Sequence, residues 1–364
     1  MFVFACAGCG GELTAPVSQV ELPVHAYQKS GNAVQLPVLM AQGTFAVDPE
    51  PSGQPWRGWE EIDPDEAAAR GVYAPVTELS YGVPGAVVIA PGDVRGTLLV
   101  PEKNGSACCG LAGGDGPNMV CEVCGLPVAI RIDDCSLWQA VWLAPDAVRR
   151  VRVDGKDAVP LSWGELAAHG RSTPPVVPIT GWGSSSGLYH RWSWNPQWEA
   201  AAGRALAHLL VASGGRTVAL PNGLARDVFQ RALDTLLPAG PAALRADFAG
   251  PGLSGADADI LFVPTHPQTG EIWSPDASAQ CVPLPFGVWL SLALPEPAPL
   301  PLIASGVLPD GVLRDEPLAP HPGTPFRIDQ NAFEYALVRL PAVRSPWLRR
   351  ILDHLTRPVR ARLF

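Results

Sequence analysis

Two short cysteine knuckles constrain this chain more than any other feature. They are Cys6-Ala-Gly-Cys9-Gly10 near the N-terminus and Cys121-Glu-Val-Cys124-Gly125 more than a hundred residues later. A Cys-x-x-Cys-Gly turn presents two thiolates from one tight loop, and the glycine relieves the backbone where the turn closes. Two such turns are the half-sites of a zinc ribbon, whose four sulfurs meet the tetrahedral preference of zinc. The expectation is a structural Zn2+ held by Cys6, Cys9, Cys121 and Cys124, which requires the two ends of a long segment to lie side by side.

Four further cysteines keep a second arrangement open. Cys108, Cys109 and Cys135 bracket the second knuckle, so a local site of Cys109, Cys121, Cys124 and Cys135 would also close a tetrahedron without the N-terminus. Two zinc ions are a further option, and Cys281 reads as a buried thiol. The run Cys108-Cys109-Gly-Leu, Asp115-Gly-Pro-Asn118, Cys121 to Gly125 and Arg131-Ile-Asp-Asp-Cys135 resembles a segment of cysteine-rich bacterial proteins to which no activity attaches. The resemblance covers under a tenth of the chain and implies a metal, not a reaction. Asp133 and Asp134 would point to opposite faces if they lay on a strand, which favours a turn or cap role over an acid and base pair.

With 364 residues the chain has room for two domains, each burying its own core. Hydrophobic residues at 47% and charged residues at 17% describe a folded interior rather than disorder. Residues 1–160 hold nearly all the cysteines and read as short strands over 35–40, 86–90, 96–100, 128–132 and 138–143, with helices near 64–70 and 162–169. After Pro174-Pro175 the grammar changes. Asn195-Pro196 predicts an N-cap and first helical residue, and Trp198, Ala202, Leu206, Leu209 and Leu210 continue as one stripe. A strand at 217–220, a helix over 224–237, a buried strand at 259–264 and helices over 331–339 and 346–356 complete the second region, 176–364. Nine prolines make 295–325 an extended connection. The fold class is therefore α+β: a β-rich, zinc-ribbon-containing N-terminal half and a mixed α/β C-terminal half.

A net charge of -9 argues against nucleic-acid phosphate as a partner. The start Met-Phe-Val-Phe-Ala-Cys lacks a basic segment followed by a hydrophobic one, and the apolar stretch from Val282 to Leu294 is too short to span a bilayer. The expected setting is the cytoplasm, where cysteines serve metals rather than disulfides.

No motif names a reaction. His-Glu-x-x-His is absent, no histidine lies near a knuckle, and no His-x-Glu precedes a Cys-x-x-Cys, which points to a structural rather than a catalytic zinc. Gly183-Ser-Ser-Ser-Gly187 satisfies G-x-S-x-G on paper, but an elbow needs a helix to follow and 188–194 does not read as one. Trp182, His190, Trp192 and Trp194 form an aromatic-dense stretch suited either to stacking a ligand or partner side chains, or to plugging the junction between the two regions. The sequence thus predicts a zinc-stabilised binding or scaffolding protein whose partner is a protein or small ligand. The alternative is a hydrolase using the Ser185 and His190 neighbourhood.

Overall fold

Apolar runs of two to five residues, cut by glycine and proline, give the N-terminal half strands rather than helices. The structure is a computed structural model and describes residues 1–29, 34–105, 107–153, 159–170, 173–183, 187–255, 257–275, 279–295, 322 and 324–355. The first half contains β1 (Phe2–Cys6), β2 (Ser18–Gln19), β3 (Val34–Gln35), β4 (Thr44–Val47), β5 (Trp56–Gly58), α1 (Pro64–Ala69) and β6 (Glu78–Ser80). It continues with β7 (Val87–Ile89), β8 (Thr97–Leu99), β9 (Met119–Cys121), β10 (Pro127–Ile132), β11 (Ala140–Leu143) and β12 (Val148–Arg152). Seven of these form one sheet in the order β2-β4-β7-β11-β10-β9-β8, while β1 pairs antiparallel with β12.

Alternation along the central strands sends side chains to two different cores. Phe45, Val87, Ile89, Val141 and Leu143 join Phe4 and Leu13 on one face, and Ala46, Val88 and Ala140 join Leu36, Leu39 and Trp138 on the other. The middle of the sheet is therefore covered on both sides. The expected strand at 35–40 shrinks to Val34–Gln35, because Pro37 lacks a ladder donor; only Val38 bridges on, to Gln139.

The second half is the mixed α/β region expected, built as α2 (Trp163–His169), β13 (Val176–Gly183), β14 (Gly187–Trp194), α3 (Pro196–Ser213), β15 (Val218–Ala219), α4 (Leu224–Leu236), β16 (Leu244–Phe248), β17 (Ile260–Thr265), β18 (Gln280–Pro285), α5 (Phe286–Ala293), α6 (Gln330–Val338) and α7 (Pro346–Leu355). Strands β15 to β18 lie in chain order in a parallel sheet. Parallel strands are covered on both faces, and β17 accordingly is a continuous apolar run, Ile260-Leu-Phe-Val263, fully buried. Most of the connection 295–325 lies outside the described residues.

Helix α3 organises this half. The Asn195 side chain accepts from the Gln197 N–H at 2.9 Å, Pro196 occupies the first turn, and Gly214 ends the helix at φ 58°. Gly203 lies where α3 crosses α6: a Cβ there would stand 2.5 Å from the Asp329 carbonyl oxygen, so only glycine permits the approach. Trp198, expected in the core, is 1% exposed, and its indole N–H donates to the Thr173 carbonyl at 3.0 Å.

A polar seam joins the two halves. Arg339 donates to both carboxylate oxygens of Glu50, at 2.8 and 2.6 Å, and lies over the ring of Tyr335, whose hydroxyl also donates to Glu50. Tyr27 lies 5.2 Å from Tyr335 ring to ring. Bidentate geometry with a shared aromatic neighbour gives this pair more than a surface ion pair supplies.

Glu199, in the first turn of α3, carries a pH dependence. Burial, with the negative charge of Asp329 nearby, raises its carboxyl to about 7 from 4.5. Between those pH values the folded chain holds a proton that the unfolded chain has released, so stability falls as pH rises through this window. Glu199→Gln is expected to stabilise the protein by about 1–2 kcal/mol at pH 8, after discounting for partial exposure, and to be neutral near pH 4. Urea melts at the two pH values check this; equal effects at both would refute it.

Candidate metal centre

The two knuckles fold into equivalent hairpin turns. In the first, the Cys6 N–H donates to the Gly11 carbonyl at 2.8 Å and the Gly10 N–H to the Cys6 carbonyl at 2.9 Å. In the second, the Cys121 N–H donates to the Leu126 carbonyl and the Gly125 N–H to the Cys121 carbonyl, both at 2.8 Å. Gly10 and Gly125 take φ of 79° and 73°, the left-handed conformation that makes glycine the residue of choice after the second cysteine. Each turn leaves a strand at its first cysteine, Cys6 closing β1 and Cys121 closing β9, so strand alternation buries that sulfur against the core while the second cysteine stays exposed.

Sheet pairing brings the turns face to face. Strand β8 pairs with β9, the Arg95 N–H donates to the Leu13 carbonyl at 2.8 Å, and the Glu122 N–H donates to the Gly96 carbonyl at 3.0 Å. Gly96 permits this packing, since a Cβ there would meet the Glu12 carbonyl oxygen at 2.3 Å. The Sγ atoms of Cys6 and Cys124 end 3.5 Å apart, and those of Cys9 and Cys121 3.6 Å apart. All four lie within 4.8 Å of one another. A regular tetrahedron with metal–sulfur bonds of about 2.3 Å has sulfurs roughly 3.8 Å apart, a spacing that the 3.5 and 3.6 Å pairs approach, so the group could hold a metal ion. Backbone N–H groups of Cys124 and Val123 donate toward the Cys121 sulfur and lower its thiol to about 7, which favours the thiolate a metal requires.

The local alternative is not formed. Cys121 and Cys124 join Cys6 and Cys9, whereas Cys109 and Cys135 belong to a separate group with Cys108 and Asp134, again within 4.8 Å. Asp134 is thus a site candidate that the sequence reading did not include, whereas Cys108 joins Cys109 and Cys135 in the separate group that reading kept open. Asp134 lies in the turn leaving β10, not on the strand, so the alternation used to dismiss it does not apply. Its Oδ1 accepts from the Cys109 N–H at 3.1 Å and from the Cys109 thiol at 2.8 Å, and that bond pushes the thiol up to about 12. Asp133 takes the opposite course, pairing with Arg131 at 3.1 Å. Cys281, expected to be buried, is exposed on β18 at the edge of the parallel sheet, its sulfur 3.9 Å from the Ala279 carbonyl oxygen.

The other candidate residues fall on the hairpin β13–β14. Gly183 pairs with Gly187 and the chain returns as a strand, so the strand–turn–helix of a nucleophile elbow is not built. Ser185 itself lies outside the described residues. Register places Trp182, His190, Trp192 and Trp194 in one alternation of this hairpin, with Trp182 opposite Leu188, Thr180 opposite His190 and Pro178 opposite Trp192. The side chains of Trp182 and His190 lie outside the description. Trp194 is partly buried: its N–H donates to the Thr324 carbonyl at 2.8 Å and its ring meets Phe326 edge-on at 5.2 Å. Trp192 is 44% exposed. The aromatic stretch therefore divides, with Trp194 packing within the C-terminal half and Trp192 facing solvent.

Comparison with known protein families, with curated proteins and with solved structures finds no match. Among the described residues, no helix is long and apolar enough to cross a membrane.

Proposed function

We propose that this chain is a zinc-stabilised binding or scaffolding protein of the cytoplasm, in which the ion is a structural clamp and partners are met on the β13–β14 hairpin. The observation that carries the reading is the closure of the Cys6, Cys9, Cys121 and Cys124 group. Four thiolates satisfy zinc completely and leave no position for water or substrate, the distinction between structural and catalytic sites. The ligand chemistry supports zinc over magnesium or calcium, which take oxygen ligands. Cysteine-rich bacterial proteins with knuckles of this kind are the kin the reading suggests. Trp192, a large ring held on a strand and half open to solvent, supports a contact role for the hairpin, since rigid aromatic anchors carry much of the energy of protein interfaces.

The test is quantitative capture from the native host by full-length protein and by Trp192→Ala, with zinc content and melting temperature measured on both. A partner contacted there should lose about 30-fold or more in affinity, the scale of a tryptophan hot spot, while metal and melting temperature are unchanged. Should every captured protein bind the variant equally well, the hairpin has no such role.

A further inference from the structure

The geometry points to a second zinc site, formed by Cys108, Cys109, Cys135 and the carboxylate of Asp134, distinct from the four-cysteine centre. Two segments converge to make it. The loop after β8 supplies Cys108 and Cys109, and the turn leaving β10 supplies Asp134 and Cys135. Their approach is fixed by backbone: Leu111 and Asp133 exchange hydrogen bonds of 3.0 and 2.8 Å, and Gly110 lies so near that a Cβ would stand 1.8 Å from the Asp133 carbonyl oxygen. The loop is thus pressed onto the turn immediately beside Cys109.

The four donor atoms lie within 4.8 Å of one another. The Cys108 sulfur is 3.7 Å from that of Cys109 and 3.0 Å from that of Cys135, and Asp134 Oδ1 is 2.8 Å from the Cys109 sulfur. The Cys135 N–H donates to the Cys109 sulfur at 3.3 Å, the same kind of backbone support that the first centre gives Cys121. Three sulfurs and a carboxylate crowded without a cation would either repel as anions or rest on weak thiol hydrogen bonds. A divalent ion at their centre resolves both, and three thiolates with one carboxylate outweigh its two positive charges, leaving the site with a net charge of about −2. Cys108 and Cys109 are exposed while Cys135 is 6% exposed, so the ion would sit at the surface with one anchored ligand. Seating it needs the 3.0 Å sulfur pair to open by about 0.8 Å, and the 2.8 Å pair of the Cys109 sulfur and Asp134 Oδ1 by about 0.7 Å, toward tetrahedral spacing. The loop that must give is rich in glycine, with Gly105, Gly110, Gly113, Gly114 and Gly116.

Zinc analysis of full-length protein purified under reducing conditions should find two equivalents per chain. The double variant Cys108→Ser/Cys135→Ser should keep one and remain folded, because neither cysteine belongs to a hydrophobic core cluster. Asp134→Asn should weaken cobalt binding at one of two sites by tenfold or more, and Asp134→Cys should move that site's visible absorption toward that of the four-thiolate centre. One equivalent in the wild type that survives the double variant would overturn the proposal. So would two equivalents in the double variant, or a Cys108–Cys135 disulfide in protein alkylated at lysis. Cys9→Ser/Cys124→Ser separates the two readings: if it keeps both ions while the Cys108→Ser/Cys135→Ser protein loses one, the first centre fails and this one stands.

Discussion

Cys121→Ser is expected to release one zinc ion and unfold the sheet around β9. The structure gives two reasons for a large effect. A structural zinc can supply on the order of 10 kcal/mol in small zinc-finger peptides, where binding and folding are one process, and this ion would join segments far apart in sequence. In addition, Cys121 is 1% exposed and packs in the same core as Phe4, Leu13, Met119 and Val128. Serine there places a hydroxyl in an apolar setting and leaves three thiolates without the fourth ligand. The expected result is a loss comparable with the whole stability of an ordinary domain, about 5–15 kcal/mol, so that the variant is recovered unfolded or not at all. Cys281→Ser is the control. The residue is exposed and lies outside both cysteine groups, and the change should fall within about 0.5 kcal/mol of wild type with zinc retained. A metal-free, fully folded wild type would remove the basis for both statements.

Deleting residues 1–10 is a poorer probe of the same site than the sequence suggests. The deletion takes Cys6 and Cys9, but it also takes β1, whose Val3, Phe4 and Ala5 are buried and which pairs along its length with β12. Metal loss would then be confounded with loss of core. Point variants at exposed Cys9 and Cys124 are cleaner, because their side chains contribute sulfur and little packing.

What the sequence made legible follows from how locally each feature is encoded. A Cys-x-x-Cys-Gly turn is determined within five residues, so both knuckles could be read directly; that they meet each other, and not Cys109 and Cys135, depends on sheet order. The start of α3 was equally local, in Asn195-Pro196 and an alanine-rich stripe. Strand β12 was missed because Val148-Arg-Arg-Val-Arg152 looks like a polar segment. Arg150 in fact lies 3.6 Å over the Phe2 ring, its stem and guanidinium covering the core edge. Helix α5 lay inside an apolar stretch with no periodicity to identify it, because seven of its eight residues are buried and a helix enclosed on every side shows no stripe. Asp134 was passed over for the opposite reason: a strand rule was applied to a residue that lies one turn beyond the strand.

Truncation after Pro341 is expected to destabilise the C-terminal half severely and not merely to remove a tail. The segment it deletes carries Val343, Leu348, Leu352 and Leu355, exposed by 0%, 1%, 2% and 8%. These belong to the same core as α3 and the parallel sheet, with Trp347 and Ile351 packed at the margin. Spacing puts Trp347, Ile351 and Leu355 on one face with Leu348 and Leu352 beside them, and the structure buries Leu348, Leu352 and Leu355 most deeply. Trp347 covers Gly215 just beyond the end of α3, where a Cβ would sit 3.6 Å from its ring. At about 1.5–3 kcal/mol for each fully buried aliphatic side chain, the four residues account for roughly 6–12 kcal/mol, comparable with the whole stability of a domain. Two arginines of this segment have partners within the chain: Arg349 pairs with Asp353 at 3.1 Å, and Arg344 lies 5.1 Å over the Tyr73 ring. Arg357, Arg360 and Arg362 lie outside the described residues. A recognition arm would make the opposite prediction, a truncated protein that melts normally and loses only salt-sensitive binding to an acidic partner. Leu352→Ala separates the two with a smaller perturbation. It should lower stability by about 2–4 kcal/mol through the cavity it leaves, and a cost below about 0.5 kcal/mol would mean that α7 is not part of the core.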